Sequence, residues 1–153
     1  MNALIIKITV DAIMHYNDKY VFVTRGHEPF KGQLAFPGGH VDYGESCEVA
    51  AIREAKEETG LDFKIRGLLG VYSEPNRDPR GHYVTIVFFG EGSGQLKAGD
   101  DAKEVTLISV EDALRENLAF DHKEILQDYN NYCQNLREIQ TDKVLKLSGG
   151  LNR

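Results

Sequence analysis

Cysteine is scarce in this sequence: the two present, Cys47 and Cys133, are widely separated. Two cysteines cannot supply the four ligands of a zinc ribbon, and their spacing fits no disulfide framework. Long apolar runs are also missing, because the apolar start of the chain is interrupted by Lys7 and ends at Asp11. This start is too short to span a bilayer and lacks the pattern of a signal peptide. We therefore expect two reduced thiols and a cytoplasmic protein.

Positive charge is in the minority. The chain has 18 Lys and Arg against 24 Asp and Glu, a formal net charge of −6. This balance argues against DNA or RNA as the main partner. A small phosphorylated ligand still suits an acidic protein if local cations, including a metal, line its pocket. The 153 residues are enough for one compact domain and leave little room for a second.

The order of apolar patterns predicts a single α/β domain. Residues 3–16 and 19–25 predict a hairpin around Asn17-Asp18. Ser46 is a natural N-cap and Gly60 a natural stop, which predicts a helix over 46–59. The remaining predicted elements are a short apolar piece at 34–36, strands at 63–72, 83–90 and 105–110, and a helix over 121–136 with Ile125, Leu126, Tyr129, Cys133 and Leu136 on one face. We place the domain at 1–140 and a C-terminal tail at 141–153.

The helix over 46–59 conflicts with local electrostatics. Glu54, Glu57 and Glu58 fall together on one face, at i, i+3 and i+4. Like charges at this spacing repel by roughly 0.2–0.5 kcal/mol per pair, and the end of a helix favours cations. The opposite face, with Val49, Ile52, Ala55 and Thr59, is expected to pack on a sheet. A solvated acidic face, relieved in part by Arg53 and Lys56, is the simplest explanation, but local conflicts often mark functional sites.

A hard divalent cation resolves this conflict, since Mg²⁺ prefers oxygen ligands and is often bound by carboxylates together with substrate phosphates. Mn²⁺ is an alternative. The turn before the helix fits the same interpretation, because Gly38 and Gly39 have no side chains and allow the backbone to approach a metal or phosphate. Taken alone, the two glycines would indicate only a turn.

Together these residues match a long motif. Gly39, five residues, Glu45, seven residues and then Arg53-Glu54-Ala55-Lys56-Glu57-Glu58-Thr59-Gly60-Leu61 resemble the signature of the Nudix hydrolases at every specified position. Ala55 stands where a larger aliphatic residue is usual and keeps the apolar character. The segment before it, 34–39, is also similar to what precedes this signature in the family.

This resemblance implies an α/β/α sandwich with a mixed sheet and an Mg²⁺-dependent pyrophosphohydrolase. It implies that Glu54, Glu57 and Glu58 are the metal ligands and catalytic carboxylates, with the Gly38 carbonyl as an additional ligand. Structural roles are implied for the rest of the motif: an orienting ion pair of Glu45 with Arg53, and the glycines Gly39 and Gly60.

The general base is left open between Glu54 and a carboxylate on a later loop, since family members differ. The loop candidates are Glu74, Asp100, Asp101 and Glu104. For any one of these, a role in loop solubility is the simpler interpretation.

The substrate is indicated by a polar loop. Its segment Arg77-Asp78-Pro79-Arg80-Gly81-His82 resembles ADP-ribose pyrophosphatases of the family, as does the stretch 119–122. Arg makes bidentate phosphate contacts, and Pro lowers the cost of ordering a loop. Asp121 also has the position of a helix cap. The predicted substrate-binding residues are Arg25, Arg77, Arg80, His82 and Asp121.

The expected reaction is cleavage of ADP-ribose to AMP and ribose 5-phosphate. Two alternatives stay open: a pyrophosphatase that removes oxidised nucleoside triphosphates such as 8-oxo-dGTP, and a non-catalytic nucleotide sensor. The intact carboxylates and the lack of room for a DNA-binding module disfavour the sensor. We expect a small nucleotide as the partner, neither nucleic acid nor membrane, and leave a homodimer open.

Overall fold

A computed structural model describes residues 3–97 and 104–148. In chain order its elements are β1 (Lys7–Tyr16), β2 (Lys19–Thr24), β3 (Leu34–Ala35), β4 (Gly38–His40), α1 (Cys47–Thr59), β5 (Asp62–Tyr72), β6 (Tyr83–Ser93), β7 (Val105–Ile108), α2 (Val110–Ala113) and α3 (His122–Ser148). No helix within these residues is both long and apolar enough to cross a membrane.

The strands form one mixed sheet of seven strands. Its main path is β3-β2-β1-β6-β5, with β4 paired to β1 and β7 to β2. β1 runs parallel to β6 from Lys7 to His15, and its other partners are antiparallel. The predicted hairpin of β1 and β2 is confirmed, and its turn residues Asn17 and Asp18 have φ of 49° and 62°. Positive φ at both positions gives the twist that a two-residue hairpin requires.

Helices cover both faces of the sheet. Successive side chains of a strand point to opposite faces, so Val10, Ala12 and Met14 of β1 enter the core under α1. Ile13 enters a second core under α2 and α3. The predicted α/β/α sandwich with a mixed sheet is confirmed. The N-terminal halves of β1 and β6 and the short strand β4 come together between the two helical layers.

α1 has the predicted bounds but a different buried face. Ser46 accepts a hydrogen bond from Val49 N at 3.2 Å, and Gly60 ends the helix with φ of 79°. However, Val49 and Ile52 are exposed, contrary to the prediction. The buried residues are Ala50, Ala51, Ala55 and Thr59. These small side chains let the helix approach the sheet closely, and the helix is therefore turned so that part of its acidic face points inward.

α3 is longer than predicted. It continues past Leu136 to Ser148, so residues 141–148 of the predicted tail are helical, while 149–153 lie outside the described residues. Ile125, Leu126 and Tyr129 are buried as expected, but Leu136 is exposed. Other predicted bounds also differ: residues 3–6 precede β1, β6 continues to Ser93, and β7 ends at Ile108 because Ser109 caps the short helix α2.

Candidate active site

The segment Gly38-Gly39 lies against α1 with almost no free space. Gly38 N donates a hydrogen bond to Glu58 Oε2 at 3.1 Å. A Cβ at Gly39 would collide with the Glu54 carboxylate, and one at Gly38 would collide with Val10 O and the Asp11 carboxylate. Glycine is therefore required at Gly38, where the backbone of β1 leaves no room, while a side chain at Gly39 would displace the Glu54 carboxylate. Three carboxylates, on β1 and α1, thus surround this short strand.

Arg53 organises the acidic face of α1. Its guanidinium contacts Glu45 through two bonds of 2.6 and 3.1 Å, so the predicted pair exists, and it also donates to His40 O. The same guanidinium donates to Glu54 Oε1 at 3.0 Å and to Glu57 Oε2 at 3.3 Å. One cation thus offsets much of the repulsion that the sequence indicated. Lys56 instead pairs with Asp62.

The three glutamates Glu54, Glu57 and Glu58 do not occupy equivalent positions. The side chain of Glu54 is 15% exposed and that of Glu57 is 59% exposed. Glu54 and Glu58 border the glycine segment, whereas Glu57 points outward. Burial raises the pKa of Glu54, the bonded Arg53 opposes this shift, and the neighbouring Glu58 and Glu57 charges add to it. Within 3–97 and 104–148, no three Asp, Glu, His or Cys side chains converge as a metal-binding group.

The donor set around the glycine segment nevertheless suits a hard cation. Glu54 and Glu58 supply carboxylate oxygens, and the missing side chains of Gly38 and Gly39 leave the backbone open to close approach. Oxygen donors of this kind match Mg²⁺ or Mn²⁺ better than a soft metal.

A cleft of about 290 Å³ opens beside this segment. Its residues come from β1, β4, β6, the loop after β2, the polar loop before β6 and the start of α3; they include Thr9, Asp11, Arg25, His27, Glu28, Phe36, Gly38, Gly39, His40, Arg77, Arg80, Thr85, Phe120 and His122. Gly38 and Gly39 line the cleft, and Glu54 and Glu58 border them from α1 without lining it; this side is called the acidic wall. The side that carries Arg25 and Arg80 is called the cationic wall.

The cationic wall is built around Phe120. The guanidinium carbons of Arg25 and Arg80 lie 4.6 and 5.0 Å from the centroid of its ring, and Arg80 also lies 4.7 Å from that of Tyr83. Phe120 adopts φ of 52°, a left-handed conformation that is unusual for a bulky residue and often marks a functional position. The ring thus holds two cations close together at the cleft.

These two cations have different partners. Arg80 donates to the buried Asp78 at 2.7 and 3.0 Å. Arg25 donates to Pro29 O at 2.8 Å, and no carboxylate of the described residues forms an ion pair with it. Burial lowers the pKa of Arg25 and the nearby charge of Arg80 lowers it further, while the charges of Asp78, Glu58 and Asp11 oppose this shift.

Arg77 has a different role from Arg80, although both were predicted to bind substrate. Its side chain is 6% exposed and makes two bonds to Asp121, at 2.6 and 2.8 Å, and one to Thr85 Oγ1 at 2.7 Å. These contacts use all three of its guanidinium nitrogens. Asp121 is likewise engaged with Arg77 rather than with the end of its own helix. This pair ties the polar loop to α3.

The other predicted residues lie away from the cleft. His82 Nε2 bonds to Ser73 O at 3.1 Å and closes its own loop. Glu74 and Glu104 are exposed and do not line the cleft, while Asp100 and Asp101 lie outside the described residues. Sequence reasoning missed Asp11 and gave His122 no role, yet both are buried and line the cleft. The available signal was a single carboxylate inside the apolar strand β1.

Comparisons with known proteins agree with this arrangement. A family model of the NUDIX domain matches residues 6–129. The chain is 50% identical over 123 residues to the ADP-ribose pyrophosphatase of Methanocaldococcus jannaschii, a match that covers 80% of this chain and 72% of that protein.

Two solved structures have the same fold. The NUDIX domain of Shewanella oneidensis NrtR complexed with ADP ribose matches with a TM-score of 0.75 and 25% identity, over 87% of this chain and 90% of that one. A bifunctional NMN adenylyltransferase/ADP ribose pyrophosphatase from Francisella tularensis, complexed with AMP and a manganese ion, matches with a TM-score of 0.75 and 27% identity, over 87% of this chain and 43% of that one.

Proposed function

Because the chain belongs to the NUDIX family, we propose that it hydrolyses ADP-ribose to AMP and ribose 5-phosphate with the help of a divalent cation. The observation that carries this proposal is that one cleft is lined both by Gly38 and Gly39, which Glu54 and Glu58 border, and by the guanidiniums of Arg25 and Arg80. A diphosphate needs both, since its charge is shared between metal and guanidinium groups. The 50% identical relative is named for this substrate.

We propose that Glu54, Glu58 and the Gly38 carbonyl hold the cation, which is Mg²⁺ or Mn²⁺. When bound, the cation neutralises charge on the diphosphate and lowers the barrier to attack by water. The resemblance to the family implies Glu57 as a third carboxylate ligand. Its side chain is exposed and contacts Arg53, so it lies farther from the glycine segment than Glu54 and Glu58. Glu45 and Arg53 hold α1 in register with the glycine segment.

The diphosphate is proposed to lie between these oxygen donors and the pair Arg25 and Arg80. Arg25 is the stronger candidate of the two because it lacks an ion pair within the described residues. Arg80 keeps Asp78 as a partner and is held by Tyr83 and Phe120. Arg77 supports the loop and is not proposed to touch the phosphates.

Glu54 is the proposed general base. Its side chain is 15% exposed, against 59% for Glu57, and its carboxylate lies directly against Gly39 beside the cleft. It would take the proton of the attacking water, while the bridging P–O bond breaks and the departing phosphate carries away the electron pair. Glu74 and Glu104 are exposed and do not line the cleft, so neither is proposed as the base.

The test is a product analysis with Mg²⁺ and a panel containing ADP-ribose, 8-oxo-dGTP and other nucleoside diphosphate derivatives. We expect ADP-ribose to be the best substrate and to yield AMP and ribose 5-phosphate. A preference for 8-oxo-dGTP would replace the substrate assignment, and tight binding of ADP-ribose without turnover would indicate the sensor.

We further propose that the enzyme acts in the cytoplasm on a free nucleotide. Cys47 and Cys133 form no disulfide, which suits a reducing compartment. A homodimer is compatible with this function, and size-exclusion chromatography with light scattering would test for it.

A further inference from the structure

Asp11 is a carboxylate that lines the cleft and lies outside the Nudix signature. Asp11, in the middle of β1, is 8% exposed, and His122, the first residue of α3, is 4% exposed. His122 Nε2 lies 3.2 Å from Asp11 Oδ2, and both residues line the cleft. A carboxylate this far removed from water is costly unless it is well partnered. Its retention in an apolar strand therefore calls for a function.

The orientation of His122 is set by the backbone. Phe36 N donates a hydrogen bond to His122 Nδ1 at 3.1 Å, and the imidazole stacks on the Phe36 ring at 5.0 Å and 28°. Because Nδ1 accepts this bond, the ring proton is on Nε2 and faces Asp11. The imidazole is thus fixed by Phe36, and its Nε2 lies within ion-pair distance of Asp11 Oδ2.

The second oxygen of Asp11 remains available to the cleft. No donor among the described residues bonds to Oδ1, which lies beside Gly38. The nearby positions in the cleft are hydroxyls and cations: Thr9, Arg25 and Arg80. A phosphate bound by the two guanidiniums would bring its substituent close to Asp11. A hydroxyl can donate to this carboxylate, whereas a further phosphate would be repelled.

We propose that Asp11 is a specificity-determining residue: its carboxylate, positioned by His122, accepts a hydrogen bond from a hydroxyl of the sugar carried by the diphosphate. The inference rests on the proposed function and deepens it. It assigns to the cleft a substrate class, a diphosphate whose second phosphorus carries a neutral hydroxylated group. It also predicts that the cleft disfavours nucleoside triphosphates, which carry a further phosphate at this position.

The test compares two substrates with the same base. Asp11→Asn keeps the shape of the side chain and removes its charge, and kcat/KM is measured with ADP-ribose and with ATP. We expect the ratio of the two kcat/KM values to fall at least tenfold, with the loss on ADP-ribose mainly in KM. The Mg²⁺ concentration at half-maximal rate should stay unchanged. An equal loss on both substrates, or a higher Mg²⁺ requirement on both, would overturn the inference.

A matched pair of variants tests the role of His122 as a positioning residue. His122→Gln places an amide near Nε2 and keeps a donor for Asp11, while His122→Asn places one near Nδ1 and keeps a partner for Phe36 N. We expect His122→Asn to lower the selectivity ratio in the same direction as Asp11→Asn, and His122→Gln to retain it. Equal ratios in these two variants, with both folded by circular dichroism, would contradict positioning through Nε2.

The wild-type data separate the two proposals. If the wild type prefers ATP to ADP-ribose, the proposed function is wrong. If it prefers ADP-ribose and Asp11→Asn keeps the same preference, only the role of Asp11 is wrong.

Discussion

The two walls of the cleft are assembled in different ways. The acidic wall comes from one stretch of chain, Gly38 to Gly60, in which a turn, a cap and a helix follow one another directly. The cationic wall combines Arg25, Arg80 and Phe120, which are distant in sequence and meet only through the sheet and α3. A local motif can thus carry the chemistry common to a family, while contacts between distant segments carry the choice of substrate.

The cationic wall also contains a contrast between neighbours. Arg77 and Arg80 are three residues apart in one loop, but Arg77 is buried in a pair with Asp121, whereas Arg80 lies over an aromatic ring at the cleft. The same residue type therefore supports the fold at one position and faces the ligand at the other. Mutations that separate stability from catalysis can test this division.

Removal of metal should have the largest effect, because it disables the acidic wall as a whole. We expect activity on ADP-ribose to be abolished by EDTA and restored by Mg²⁺ or Mn²⁺. ADP-ribose binding to the cationic wall should persist in weakened form. Isothermal titration calorimetry in EDTA measures that residual binding, and full turnover in metal-free buffer would contradict the mechanism.

Within the acidic wall, Glu58→Gln should lower kcat by about 10²–10⁴-fold, because Glu58 borders the glycine segment. Glu57→Gln, an identical chemical change on the exposed side of the same helix turn, should cost less. Steady-state kinetics of the two variants provide the comparison. A larger loss in Glu57→Gln would reverse our assignment of the inner and outer carboxylates.

Arg25→Ala and Arg77→Ala remove the same side chain from two different loops and should have opposite effects on activity and stability. Arg25→Ala should lower kcat/KM for ADP-ribose by about 10–100-fold, equivalent to about 1–3 kcal/mol, with little change in stability. Arg77→Ala breaks a buried ion pair and should lower the free energy of unfolding by about 3–5 kcal/mol.

Urea denaturation and ADP-ribose kinetics on both variants distinguish these outcomes. Arg80→Ala serves as an intermediate case, since Arg80 has both a carboxylate partner and a position at the cleft. A stable Arg77→Ala protein with a large KM defect would return Arg77 to the substrate site.

The smallest expected effect concerns Asp78. Burial works to raise its pKa, but hydrogen bonds from Arg80 outweigh burial and hold the pKa below its usual value. A carboxyl whose pKa is lower in the folded than in the unfolded state stabilises the fold at pH values above its unfolded-state pKa. This contribution is lost as the pH falls through the folded-state pKa. Asp78→Asn should therefore cost on the order of 1 kcal/mol at neutral pH.

The difference in unfolding free energy between Asp78→Asn and the wild type should shrink below about pH 4. Denaturant titrations at several pH values measure it. A difference that is constant with pH would show that the Asp78 charge does not contribute.

Features set by residues close together in the sequence were predicted correctly, whereas features set by contacts between distant segments were not. The bounds of α1 were predicted because Ser46 and Gly60 act within one helical turn of where they stand. Glu54 and Glu58, two of the three carboxylates that border Gly38-Gly39, were also identified by local spacing. The rotation of α1 was not, since packing of small alanines against the sheet overrides the apolar character of Val49 and Ile52.

Residues that act across the fold were harder to predict. Asp11 and His122 are 111 positions apart and meet because β1 lies beneath the start of α3. Arg77 and Arg80 have similar sequence surroundings, so only their partners distinguish them. Charge and spacing therefore identified which groups the chain offers for chemistry, and pairing across the sheet determined which of them reach the cleft.

The long helix α3 has a consequence for how freely the chain can diverge. Over 122–144, the part of the helix whose side chains are described, Tyr129 is the last buried residue, Cys133 is half-buried, and every side chain from Gln134 to Val144 is exposed. The match to the family model also ends at residue 129. Selection for foldability acts through buried contacts, so it weakens along this helix after its first two turns. The outer turns are thus free to drift among related proteins and to accept engineered changes while the cleft stays intact.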